Sequence, residues 1–179
     1  MRDNDLIKLI ADNLDAGSLK NGWGYFTVQK NQPTQEGTPS VGTLFVQKLF
    51  DVPYGFVMVK DVYDPEQDVF VERNTQLVET AIQVSALIPQ DPTDIEIPTP
   101  SDVVNLLQIY MSSRSIMAGL RTYNVGILRV RVNQNPYFED DKHRFEAYPS
   151  FDLVLTHDRW VEFDVPAVVK AVDDGVYPV

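Results

Sequence analysis

From Gln76 to Val165 apolar and charged positions alternate along three segments. Between Leu77 and Ile88, Val78, Ile82, Val84, Ala86 and Ile88 take one side, while Glu79, Gln83 and Ser85 take the other. Between Val125 and Val132, Leu128, Val130 and Val132 alternate with Arg129 and Arg131. Between Phe145 and Leu155, Phe151, Leu153 and Leu155 alternate with Glu146 and Asp152. Successive side chains leave a strand on opposite sides, so a period of two predicts strands with one face buried and one wet. After the first of these strands the period changes. Thr99 fits an N-cap, Pro100 the first helical position and Asp102 the capping-box position, a cap worth about 1 kcal/mol over alanine. Val103, Leu106, Leu107, Tyr110 and Met117 then recur at helical spacing, with a break at Ser112, Ser113 and Ser115 before Ile116 to Arg121.

The N-terminal half predicts a first helix over Asn4 to Asp15, with Leu6, Ile7, Ile10 and Leu14 on one stripe, stopped by Gly17 and Gly22-Trp23-Gly24. A short strand follows at Tyr25 to Lys30, then a polar, proline- and glycine-bearing loop at 31–42. Thr43 to Phe50 and Gly55 to Val62 read as a hairpin turning at Asp51-Val52-Pro53-Tyr54. Its residues Phe45, Val46, Leu49, Phe50, Phe56, Val57 and Val59 are too apolar to be wet on both faces. Tyr63 to Glu72 reads as an exposed segment, Pro89 to Pro98 as an acidic connector and Asn133 to Arg144 as a polar loop. Ala147 to Val165 is either one long strand or a hairpin turning near His157-Asp158, and 171–179 is a loose tail. The expected class is α+β: one domain over 1–179 with its core at about 25–165, a mostly antiparallel, twisted sheet with helices packed on one face, and long polar loops.

Composition narrows the function. A chain of 179 residues buries enough surface for a core without staples, and zero cysteines remove disulfides, thiol catalysis and thiolate zinc sites. No continuous apolar stretch follows Arg2, so no signal peptide is expected, and no run approaches the ~20 residues of a membrane span. The net charge of −11 is uneven: residues 61–113 hold ten of the 26 acids and one of the 15 bases. Such a field disfavours gripping nucleic acid through its phosphates and suits either solubility or a basic partner.

Candidate chemistry is thin. His143 and His157 each have a carboxylate nearby in sequence, Asp141 and Asp158, the pairing that would serve a small metal-dependent hydrolase. Neighbours on a strand face opposite ways and a third ligand is missing, so surface histidines in loops are the expectation. Asp64, Glu66 and Asp68 have the spacing that opens a calcium loop, but Val69 stands where glycine is needed. Glu139-Asp140-Asp141 reads as a solvated charge run, and Arg129 and Arg131 as cross-strand partners of Glu79, Glu146 or Asp152. There is no Gly-x-Ser-x-Gly elbow and no phosphate-cradling glycine loop. The chain is expected not to be an enzyme, with no cofactor and no metal.

Several stretches carry a resemblance. Thr80-Ala-Ile-Gln-Val-Ser-Ala86, the capped helix from Thr99, Ile116-Met-Ala-Gly-Leu120, Val125-Gly-Ile-Leu-Arg-Val-Arg131 and Phe145-Glu-Ala-Tyr-Pro-Ser-Phe-Asp-Leu-Val-Leu155 come in the order of one family. With Gln29-Lys-Asn-Gln-Pro33 and Phe45-Val-Gln47, they resemble the neck, or tail-terminator, proteins of long-tailed bacteriophages over about residues 25–165. The proline-rich segments at 31–42 and 89–98 are less typical of it. The resemblance implies a structural virion protein, assembled in the host cytoplasm, whose six copies form a ring at the neck between head and tail. That ring ends tail-tube polymerisation and docks the head-side connector, and in contractile tails it meets the sheath. Genomic DNA would pass through without specific binding, and Asp64, Glu66, Asp68 and Glu72 would face the channel or a docking partner. Another head–tail joining or tail-completion protein is the nearest alternative.

Overall fold

The computed structural model describes residues 1–20, 27–30, 40–66, 69–90, 93–131, 137–139 and 145–164. Along the chain run α1 (Asp3–Lys20), β1 (Thr27–Lys30), β2 (Thr43–Asp64), β3 (Val69–Leu87), α2 (Pro100–Met111), α3 (Arg114–Arg121), β4 (Gly126–Val130), β5 (Tyr137–Glu139), β6 (Phe145–Ala147) and β7 (Ser150–Asp164). Five strands form one sheet in the order β1-β2-β3-β7-β4, with β1 parallel to β2 and the other pairs antiparallel. The class is α+β, as expected from the change of period.

Each helix buries one stripe on the same side of the sheet. Leu6, Ile7, Ile10 and Leu14 of α1 and Val103, Val104, Leu107 and Met111 of α2 meet Leu44, Val46, Ile82, Val84, Ala86, Phe151, Leu153 and Leu155 in a single core. The cap of α2 has the expected form: the Thr99 side chain accepts from the Asp102 N–H, and Asp102 Oδ2 accepts from the Thr99 N–H and hydroxyl. Ser113 caps α3 without the reciprocal bond, its hydroxyl accepting from the Ile116 N–H at 3.4 Å, so the serine cluster is indeed the break between two helices.

Several expectations are corrected. α1 continues through Gly17 to Lys20, because one interior glycine costs only about 1 kcal/mol against a well-packed stripe. Gly22-Trp23-Gly24 lies outside the described residues, as do most of the 31–42 loop and the 171–179 tail. The hairpin does not turn at Asp51-Val52-Pro53-Tyr54. β2 runs straight through these residues for 22 in all, and the chain reverses only after Asp64, whose Oδ1 accepts from the Glu66 N–H at 2.9 Å. Pro53 survives inside the strand because β1 covers β2 only at Thr43–Val46, and beyond that, among the described residues, β2 is an edge strand, the place in a sheet that tolerates proline. Tyr63 to Glu72, expected as an exposed segment, therefore supplies the end of β2 and the start of β3.

His157-Asp158 makes no turn either, since β7 pairs with β3 without a break from Ser150 to Asp164. In β4 the register slips between Ile127 and Arg129, and this bulge turns Leu128 out to solvent where strict alternation would bury it. The polar loop expected at Asn133 to Arg144 contains β5, which pairs with β6 as a separate two-stranded sheet. The sheet face opposite the helices, expected to be polar and open, is closed near its base: Phe45, Ala81, Ser85, Ser150 and Val154 are all buried there.

Candidate functional site

The helices cover only the basal half of the sheet. At 22 residues β2 would span about 70 Å if straight, far more than a 12-residue helix can shield. Beyond Asp51, β2, β3 and β7 continue as a three-stranded blade, approached near its base by Met1, Asp5 of α1, Tyr123 and Asn124, which line a cavity with Arg73, Thr75 and Trp160. The register shows how it is built. Met58, Thr75 and Trp160 stand in one row across it, Val59, Asn74 and Val161 in the next, then Lys60, Arg73 and Glu162. Residues in one row share a face, and alternate rows change face.

An ionic cluster closes the core where the blade begins. Lys48 Nζ donates to Asp3 at 2.7 Å and to Asp51 at 2.5 Å, and Arg159 bonds both carboxylates. Behind it, Thr80 Oγ1 donates to Asp51 at 2.7 Å. That bond uses the only hydroxyl proton, so the Thr80 oxygen accepts from His157 Nε2, 2.9 Å away. The Met1 amino group donates to the Asp158 carbonyl at 2.6 Å, on the outer edge of β7.

Past this cluster the blade is apolar and wet. Phe56 is 97% exposed, Met58 67% and Tyr54 60%, and Phe50, Val52, Val57, Val59, Tyr63, Phe70, Trp160, Val161 and Phe163 are also exposed. The β2–β3 register shifts between Tyr54 and Met58, where two extra residues bulge from β2. Gly55 sits there at φ 72, a left-handed angle that glycine takes without steric cost and that throws Phe56 clear of the sheet. The blade is internally braced: Tyr63 and Phe70 rings lie 5.4 Å apart, Arg73 stacks 4.8 Å over Trp160, and Arg73 pairs with Glu162. Exposed apolar side chains thus stand on both faces of a braced support, interleaved with the charged row of Lys60, Arg73 and Glu162, and so many of them together mark a place where another molecule sits. What it can do chemically is bury area and pair edges; it presents no reactive constellation.

The residues singled out from sequence scatter. Asp64 and Glu66 lie at the tip of the blade, and Glu72 stands opposite Asp61 three rows back from it, accepting from Asn74 at 3.0 Å. Asp68 is outside the described residues, as are His143, Asp140 and Asp141. His157 is no surface histidine: it lies in β7 at 1% exposure, bonded to Thr80. Arg129 and Arg131 form no ion pair with Glu79 or Asp152, and Gln83 donates to Asp152 instead. Among the described residues no three His, Asp or Glu side chains are grouped to hold a metal. The exposed blade itself was missed, although its signal was present: the run from Phe56 to Val59 is apolar at every position, which no sheet with one wet face explains.

Burial lowers the pKa of His157 from its usual 6.5, helped by the charges of the amino terminus and Arg159 and opposed by the Asp158 carbonyl and Asp51. Burial would raise the Asp51 carboxyl, but hydrogen bonds from Lys48 and Thr80 and the charges of Arg159 and Lys48 hold it below 3.8. A histidine with a depressed folded pKa is protonated first in the unfolded chain. Its contribution to stability is therefore complete above pH 6.5 and falls as the pH drops from there. The Asp51 contribution is complete above 3.8 and is lost as the pH falls through its folded value. Melting temperature should decline in two acid steps, and His157→Gln should flatten the first alone. An unchanged first step in that variant would show that another group causes it.

A family model described as E217 gateway protein gp29 matches residues 5–167 of the chain. No curated protein matches it. Among solved structures, it is similar to the sheath/tube terminator of an extracellular contractile injection system, PVC, in the extended state, at a TM-score of 0.48 and 12% identity. The alignment covers 100% of this chain and 64% of that one, so the chain spans less than two thirds of the terminator's length. At that distance the likeness bears no weight for function.

Proposed function

Because the chain belongs to the family of the phage E217 gateway protein gp29, we propose that it is a structural virion protein of a bacteriophage tail end. Six copies form a ring at the neck, on the head-proximal end of the tail tube. The ring stops tube polymerisation and offers the docking surface for the head-side connector, and in a contractile tail it also meets the sheath.

The observation that carries this reading is the blade. A lone subunit would gain nothing from holding Phe56 at 97% exposure on a braced three-stranded support, whereas a ring subunit needs such a surface. Light scattering across concentration, with negative-stain images of the same sample, tests it. Sixfold rings with an open centre, formed alone or on purified tail tubes, support the reading. A strict monomer that neither forms rings on tubes nor limits their length overturns it.

Within that ring, the acids Asp64, Glu66, Asp68 and Glu72 flank the channel and keep passing DNA from sticking. Like charge repels the phosphates, and residues 61–113 carry a single base, Arg73, to oppose it. Reversing Asp64, Glu66 and Glu72 to lysine should slow DNA ejection, most at low salt. Ejection at the wild-type rate would place these acids away from the path.

A further inference from the structure

We propose that the open edge of β2 in the blade pairs, in parallel, with the open edge of β7 in a second copy of this chain, setting Lys60 beside Glu162 of that copy. This rests on the ring reading above and specifies the joint. β1 covers the outer edge of β2 only at Thr43–Val46, and among the described residues no strand pairs with it from Asp51 to Val62. β4 covers the outer edge of β7 at Leu153–Thr156, and the Met1 amino group takes the Asp158 carbonyl. From Trp160 to Asp164 that edge is open among the described residues. Unpaired N–H and C=O groups along a strand are a template for another strand.

The two open edges lie on opposite sides of the same blade. An edge of one kind therefore meets an edge of the other kind on the next copy, a head-to-tail contact that closes into a ring under rotation. β2 and β7 both run antiparallel to β3, so they run in the same direction. Rotation about an axis along the strands preserves that direction, and the joint is parallel. The β2 edge already accepts a parallel partner at its base, β1. Two β2 edges meeting about a two-fold axis across the strands would instead be antiparallel.

Register follows from the rows. A second copy at the same height continues each row of the blade, bringing its Trp160 beside Met58, its Val161 beside Val59 and its Glu162 beside Lys60. A slip of one residue would set every side chain against the wrong face. The charges agree with the unslipped joint. Lys60 has no ion-pair partner among the described residues. Glu162 takes both Arg73 bonds, 2.8 and 2.5 Å, on Oε1, which leaves Oε2 to accept from Lys60 of the adjoining copy. A lysine on an open edge commonly keeps other strands away, and a facing acid makes it a selector for one partner edge.

The chain has no cysteine, so paired cysteines report the joint cleanly. Within one copy β3 separates positions 60 and 162 by two strand spacings, about 9.5 Å, too far for a disulfide, which needs Cα atoms within about 7 Å. The full-length variant carrying Lys60→Cys and Glu162→Cys, mildly oxidised, should give a ladder of covalent multimers on a non-reducing gel, ending at the copy number of the ring. Lys60→Glu alone should cut the ring fraction at least tenfold while its melting temperature stays at the wild-type value. Complete covalent dimers from Lys60→Cys alone would mean that two β2 edges meet, which overturns the joint. Rings in the images without a ladder would overturn the joint and leave the ring reading standing. Neither rings nor a ladder, with or without tail tubes, would overturn both.

Discussion

Replacing Phe56 and Met58 together with serine is expected to abolish ring assembly while leaving the isolated chain as stable as the parent. The two side chains are 97% and 67% exposed, so neither contributes packing to the fold. Exposed substitutions of this kind shift stability by roughly 0.5 kcal/mol or less. In an interface the same groups matter far more, since burying a phenylalanine or methionine side chain is worth about 1.5–3 kcal/mol. Losing both removes about 3–6 kcal/mol from each contact, and every 1.4 kcal/mol is about tenfold in affinity. Gly55 is left untouched, so the bulge that projects Phe56 is preserved. Light scattering reads the assembly and a thermal melt reads the fold. Intact rings from the variant would remove the apolar blade from the joint, and a large drop in melting temperature would mean that the blade packs on its own subunit.

The opposite result is expected at Phe151. It is 1% exposed, sits on the helix-side face of β7 opposite Val84, and belongs to the core that α1 and α2 close. Truncation to alanine leaves a cavity in a close-packed layer and should cost about 3–5 kcal/mol. A domain of this size holds about 5–15 kcal/mol in total, so the variant should melt far below the parent or fail to accumulate. Leu128→Ala is the matched control. Sequence alternation alone would place Leu128 in the same core, yet the bulge in β4 leaves it 52% exposed. Its loss should change chemical-denaturation stability by no more than about 0.5 kcal/mol. Equal costs at the two positions would show that β4 keeps an unslipped register and buries Leu128.

How much of this was readable in advance can be seen residue by residue. Val78, Ile82, Val84, Ala86, Phe151, Leu153 and Leu155 are buried as their alternation requires, because the period of a strand is a local property. The α2 cap was equally legible, since Thr99, Pro100 and Asp102 act on backbone groups within one turn. Pro53 misled, because whether a proline ends a strand depends on whether a neighbour needs its N–H. That neighbour is set by sheet order, which no local pattern carries. The Asp3, Lys48, Asp51 and Arg159 cluster draws on residues up to 156 positions apart, and only folding brings them together.

The sequence by itself determined the α+β class, the buried face of β3 and of the basal part of β7, the α2 cap and the absence of thiol chemistry. These are written in spacing and residue type, and they survive in any arrangement that satisfies them. Tertiary structure decided where the helix layer stops along the sheet, and with it the whole character of the blade. The same apolar run from Phe56 to Val59 would be core under a helix and is a joining surface without one. Burial belongs to the neighbours that a residue meets, and those are fixed only when the long strands pair and the short helices leave their far ends uncovered.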